Sequence, residues 1–198
     1  ASAAITVRGT VRLRSAVMPA GTWVPAYVGV GSNLDGPEEQ VRTALQALGR
    51  IAETRLIVCS GCWRNPALGP QPQPDFVNAV AGLLTLLPPD QLLDELLAIE
   101  RRQGRERSDG VRWGPRRIDL DLLVHGATVM DTASLVLPHP GTATRNFVLF
   151  PLLEIAPDLR VPGLGPVWRL AAALNQEEQQ ADTIKPWAIP VTSPSKAP

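Results

Sequence analysis

Residues 117–124 read Arg-Ile-Asp-Leu-Asp-Leu-Leu-Val. Side chains alternate between the two faces of an extended chain. Asp119 and Asp121 therefore share one face, about 7 Å apart at their Cα atoms. Ile118, Leu120 and Leu122 fill the other. The reading is a strand over 117–124 with an apolar side for a core and an acidic side for something else.

Working upstream, residues 105–115 carry Ser108, Asp109, Gly110 and Gly114 among charges and form an exposed loop. Pro88-Pro89-Asp90 opens a helix whose buried stripe is Leu92, Leu93, Leu96 and Ile99, fading near Gly104. Phe76–Leu87 and Thr54–Trp63 read as strands, separated by a Pro/Gly/Gln loop at 66–74. Pro37, Glu38 and Glu39 open an earlier helix with Val41, Leu45 and Leu48 on its apolar face. Before it, Val24–Gly31 (VPAYVGVG) is a buried strand ending in a turn.

Downstream, the spacing predicts a short strand near Val129, a helical segment over 147–155 interrupted at Pro151, and another over 167–174. Strands and helices alternate irregularly and some strands join by loops. The expectation is an α+β domain with a mainly antiparallel sheet over 24–175. Residues 1–23 hold Arg8, Arg12 and Arg14 and no acid. A transit peptide, a cloning remnant, an upstream start and a loose basic tail all share that composition, so the segment is an extension of unknown role. Residues 176–198 turn polar and then proline-rich, and read as a loosely held tail.

The 198 residues carry 19 basic and 19 acidic side chains, with 44% hydrophobic content. A nucleic-acid partner normally leaves a basic excess. No apolar run reaches the ~18 residues of a membrane span. Charge is nevertheless uneven: seven arginines fall between Arg101 and Arg117, a stretch suited to anions. Cys59 and Cys62 form a lone C-x-x-C. Three apart on a strand they point to opposite faces, which fits two small apolar residues better than a redox pair or half a zinc site. A reducing, cytoplasmic compartment fits.

Two like charges on one strand face repel unless a cation lies between them. Magnesium takes one or two carboxylates and fills its other positions with water and phosphate oxygens. Alone, D-x-D equally describes a solvated face with two surface acids. Arg105, Arg107, Arg112 and Arg116 beside it shift the balance, because guanidinium forks hold phosphate oxygens bidentately. No G-x-x-x-x-G-K-S/T loop or protein-kinase set is present.

Residues 112–121 (RWGPRRIDLD) closely resemble the signature of the 6-hydroxymethyl-7,8-dihydropterin pyrophosphokinase family. Four further segments agree in order. They are Gly31-Ser32-Asn33-Leu34; residues 65–70 (NPALGP) with 75–78 (DFVN); Glu100 with Gln103-Gly104-Arg105; and Pro138-His139-Pro140 with 145–149 (RNFVL). Together they cover Tyr27 to about Leu159. Asn65 stands where the family more often has a hydroxyl residue. Val136 and Pro140 stand where some members offer polar side chains, and the 105–116 loop is about a residue longer than in compact members.

The resemblance implies a ferredoxin-like fold and transfer of pyrophosphate from ATP to the hydroxymethyl group of the pterin, in folate biosynthesis, with AMP released. It implies that Asp119 and Asp121 bind two magnesium ions and that Arg105 and Arg116 stabilise the transferring group, supported by Arg107 and Arg112. Glu100, His139 and Arg145 would contact ATP, and Leu122 would line its site. Phe76 and Phe147 would sandwich the pterin. Asn78 would read its amide edge with backbone help around Asn65, Pro66 and Leu68, and Trp113 would close over it. The residue types agree: aromatic faces suit a planar heterocycle, and an Asn amide matches a lactam-like edge. The expected partners are the two small substrates, without nucleic acid or membrane, acting on a monomer. A D-x-D glycosyltransferase and a ferredoxin-like RNA-binding module are the rival readings. The first would release UDP; the second needs stacked aromatics on adjacent strands.

Overall fold

The computed structural model describes residues 21–67, 72–105, 114–178 and 185–187, the last three and 175–178 by backbone alone. The central strand β1 (Val24–Ser32) pairs antiparallel with β4 (Phe76–Thr85) on one side and β5 (Asp119–His125) on the other. Beyond β4 lie β2 (Thr54–Cys59) and β3 (Cys62–Asn65), both antiparallel to it. Helix α1 (Pro37–Leu48) connects β1 to β2, and α2 (Pro89–Arg102) connects β4 to β5. This βαββαβ order, with the second strand of the pattern broken into β2 and β3, is the ferredoxin-like arrangement expected, and its sheet is antiparallel throughout.

The expected single strand over 54–63 divides because Ser60 and Gly61 leave the ladder. Ser60 Oγ accepts from the Val80 amide (2.9 Å), while its own amide donates to Val80 O (2.9 Å). Further on, the hairpin β6 (Met130–Asp131) and β7 (Val136–Leu137) precedes α3 (Asn146–Ile155). The two-residue strands β8 (Arg160–Val161) and β9 (Gly165–Pro166) then lead into α4 (Val167–Glu178). Helix α3 runs through Pro151, which denies the Phe147 carbonyl its intrahelical donor. Burial of Val148, Leu149, Pro151 and Leu152 offsets that loss. In the expected loose tail, β10 (Lys185–Trp187) pairs with β3 and takes up backbone groups on its free edge.

The sheet has a core on each face. Ala26, Val28 and Val30 of β1 point one way, with Val77, Ala79, Leu120 and Leu122. They pack against Val41, Ala44 and Leu48 of α1 and Leu92, Leu96 and Ile99 of α2. On the other face, Val80, Leu123 and Val124 meet Val148, Leu149 and Leu152 of α3 and Val167 of α4. This second core covers only part of its face. The uncovered part, at the start of β4 and β5, is where a cavity opens. No helix among the described residues is long and apolar enough to cross a membrane.

Candidate active site

Strand register places the acidic pair. Asp119 lies opposite Gly31, and Asp121 opposite Gly29. On the other flank of β1, Gly31 faces Asn78 and Gly29 faces Val80. The two rows run Asn78–Gly31–Asp119 and Val80–Gly29–Asp121, each with a glycine in the middle. A glycine inside a strand often marks a close approach by a ligand or another chain. A Cβ on Gly31 would come within 2.6 Å of Asn78 Oδ1. The cavity over these rows is lined by Gly29, Gly31, Asn65, Phe76, Asn78, Gly114, Arg116, Asp119, Asp121, Arg145, Phe147 and Val148.

One end of the cavity is neutral and aromatic. Phe76 at the start of β4 and Phe147 at the start of α3 are both half-buried and face the same space. Asn78 donates through Nδ2 to Asn65 Oδ1, and Asn65 Nδ2 donates to Pro66 O (2.8 Å). This amide relay fixes the flip of Asn78 and leaves its Oδ1 on the Gly31 side.

The other end is charged. Asp119 pairs with Arg105 through Oδ1 (2.5 Å) and with Arg116 through Oδ2. Among the described residues, the cations beside Asp121 stand off from it: His139 Nε2 at 4.0 Å and Arg145 Nη1 at 3.8 Å. Burial, followed by the charge of Asp119, pushes the Asp121 carboxyl above its ordinary value. Burial lowers the imidazole of His139, against the pull of Asp121. His139 Nδ1 accepts from the Gly141 amide (3.0 Å), so its proton sits on Nε2, facing Asp121. The Arg145 guanidinium lies so near Gly141 that a Cβ there would be 2.6 Å from Nε.

This donor set fits magnesium. Two carboxylates sharing a strand face, one strained by the other's charge, are what a dication relieves. Among the described residues no third His, Cys, Asp or Glu joins them in a metal-sized group. Water and phosphate oxygens would complete the sphere.

Two residues expected at the nucleotide, Glu100 and Leu122, are not among those that line this cavity. Glu100 is 2% exposed, and its Oε1 accepts from Arg105 and from the Leu120 amide (2.8 Å). It braces Arg105 and the outer edge of β5. Leu122, also 2% exposed, belongs to the core under α1 and α2, on the opposite face from Asp121. Its side chain does not line the cavity, which leaves only its backbone for a ligand. Leu68, Arg107, Arg112 and Trp113 lie outside the described residues. Reading the sequence missed Gly29 and Gly31 as cavity floor and gave Asn33 no role. The alternate glycines of VGVG were the available signal for the first two.

Residues 27–157 match the family described as 7,8-dihydro-6-hydroxymethylpterin-pyrophosphokinase. A 2-amino-4-hydroxy-6-hydroxymethyldihydropteridine pyrophosphokinase from Pseudomonas aeruginosa is 51% identical over 136 residues, covering 69% of this chain and 83% of that one. The enzyme of the same name from Haemophilus influenzae is 46% identical over 139 residues, covering 70% and 86%. A Plasmodium falciparum HPPK-DHPS structure with pteroate superposes with a TM-score of 0.65 at 10% identity. It covers 83% of this chain, which spans 48% of that longer one. At that identity the likeness shows the fold alone.

Proposed function

The chain belongs to the 7,8-dihydro-6-hydroxymethylpterin-pyrophosphokinase family and is a pyrophosphokinase of folate biosynthesis, and from that premise we propose how its residues divide the work. The aromatic end takes the pterin between Phe76 and Phe147, with Asn78 Oδ1 and the backbone near Asn65 and Pro66 at its edge. The charged end takes the ATP triphosphate. The observation that carries this division is the pair of rows across β1, with an amide at one end and a carboxylate at the other. A substrate lying over the glycines spans both.

In this reading the hydroxymethyl oxygen attacks the β-phosphorus of ATP. A new O–P bond forms, the bond from the β-phosphorus to the α,β-bridging oxygen breaks, AMP leaves with that oxygen, and the hydroxyl proton passes to solvent water. Asp119 and Asp121 would hold magnesium, which when bound neutralises phosphate charge and lowers the pKa of the attacking hydroxyl. Arg116 lines the cavity and Arg105 is joined to it through Asp119; in this reading both would turn part of their donor set to an incoming polyphosphate. Arg145 and the Nε2 proton of His139 add donors on the Asp121 side. Phosphoryl-type transfer asks the protein mostly for positioning and charge stabilisation, and no dedicated general base is needed. The family match leaves no support for a glycosyltransferase or an RNA-binding module.

The test is incubation with magnesium, ATP and 6-hydroxymethyl-7,8-dihydropterin, with Asp119→Asn alongside. AMP should appear with the native chain and nearly vanish with the variant. Release of ADP, or undiminished AMP from the variant, would refute the assignment.

A further inference from the structure

Asn33 follows β1, touches no cavity surface and is 1% exposed. Its side chain reaches two separate loops. Nδ2 donates to Gln73 Oε1 (3.0 Å) and to Pro74 O (3.0 Å), in the segment that runs into Phe76 and Asn78. Oδ1 accepts from the Arg116 amide (2.7 Å), and the Asn33 amide donates to Arg116 O (3.0 Å). Both side-chain hydrogens and the carbonyl are therefore used, and the two loops they join hold opposite ends of the cavity. Neighbouring bonds fasten one loop only: Ser32 Oγ donates to Arg117 O (2.6 Å), and Arg117 Nε pairs with Asp35 (2.9 Å).

We propose that Asn33 is a positioning residue that couples the two substrate ends, so that ordering the Arg116 arm around a nucleotide also orders the approach to Phe76. The idea rests on the division of the cavity given above. A buried amide satisfied on both sides transmits position because breaking either side leaves an unpaired polar group. Coupling between two ligands is reciprocal, so it can be measured from either end.

The experiment titrates 6-hydroxymethylpterin and magnesium α,β-methylene-ATP, each alone and each with the other saturating, by calorimetry. In the native chain each ligand should tighten the other by ~5-fold or more. Asn33→Ala should bring that factor close to one while each single affinity changes much less. Asn33→Asp keeps the acceptor for the Arg116 amide, loses both donors to residues 73 and 74, and changes little volume. It should lose the coupling too, and it carries the test if the alanine variant fails to fold. Ser32→Ala, which cuts an anchor of one loop, should lower the melting temperature and keep the coupling. Full coupling in either folded Asn33 variant overturns the proposal. So does equal loss in Ser32→Ala, or a native chain without coupling. The single affinities test which end takes which ligand; only the coupling factor tests Asn33.

Discussion

Replacing Gly31 by alanine adds one methyl group at the centre of the row that joins Asn78 to Asp119. The strand backbone accepts alanine there, so the effect is steric and local. The new Cβ would meet Asn78 Oδ1 at 2.6 Å, which is ~0.5 Å or more inside ordinary contact. Asn78 is held from behind by Asn65, which is itself tied to Pro66 O. It cannot swing away without breaking that relay. Two costs follow. Crowding a packed site costs about 1–3 kcal/mol. A displaced Oδ1 forfeits a ligand hydrogen bond worth about 0.5–1.5 kcal/mol. If half the crowding is relieved by strand movement, about 1–3 kcal/mol remains, or roughly 5- to 150-fold in affinity. The assay is calorimetric titration with 6-hydroxymethylpterin, with magnesium α,β-methylene-ATP titrated separately. Pterin binding should weaken within that range, and nucleotide binding should change by less than about threefold, because Asp119 lies on the far side of β1 from Asn78. Unchanged pterin affinity, or an equal loss for both ligands, would refute the reasoning.

Asp119→Asn should retain the fold and lower kcat about 10³-fold in a coupled AMP assay; near-normal turnover would remove the metal assignment. Asp121→Asn should also be almost inactive, yet melt at or above the native temperature without magnesium or nucleotide. A carboxyl whose folded pKa is raised disfavours folding while it is ionised. The sign is therefore an advantage for the Asn variant at neutral pH that disappears as pH falls through the carboxylate range; a lower melting temperature at pH 7.5 would contradict it. Cys62 is buried, and its thiol is pushed up to about 11. Iodoacetamide at pH 7.5, followed by peptide mass spectrometry, should leave Cys62 unmodified in the folded chain and label it in urea; rapid native labelling would count against this burial.

Much of the fold was legible because patterns with period 2 and period 3.6 were clean. The alternation at 118–122 gave the strand, its core face and its acidic face. Leu92, Leu96 and Ile99 gave α2. What stayed hidden depends on contacts remote in sequence. The register shift beside Val28 places Leu123 and Val124 together in the α3 core, which no local pattern announces. Pro151 reads as an interruption of the helical segment over 147–155, but burial against the sheet carries α3 through it. The resemblance gives Leu122 to the nucleotide site, but the alternation that places Asp121 in the cavity puts the Leu122 side chain on the opposite face. Glu100 is an ATP contact by resemblance alone, with no local pattern behind it. Its contacts with Arg105 and the Leu120 amide are set by how α2 packs beside β5.

The account depends above all on Asp119 and Asp121 holding divalent ions that carry a triphosphate. The most direct measurement is anomalous diffraction from crystals grown with manganese, α,β-methylene-ATP and 6-hydroxymethylpterin. The account predicts anomalous peaks about 2.1 Å from oxygens of both carboxylates and bridged to phosphate. Manganese bound to the nucleotide with both carboxylates still turned to arginine or solvent would contradict it.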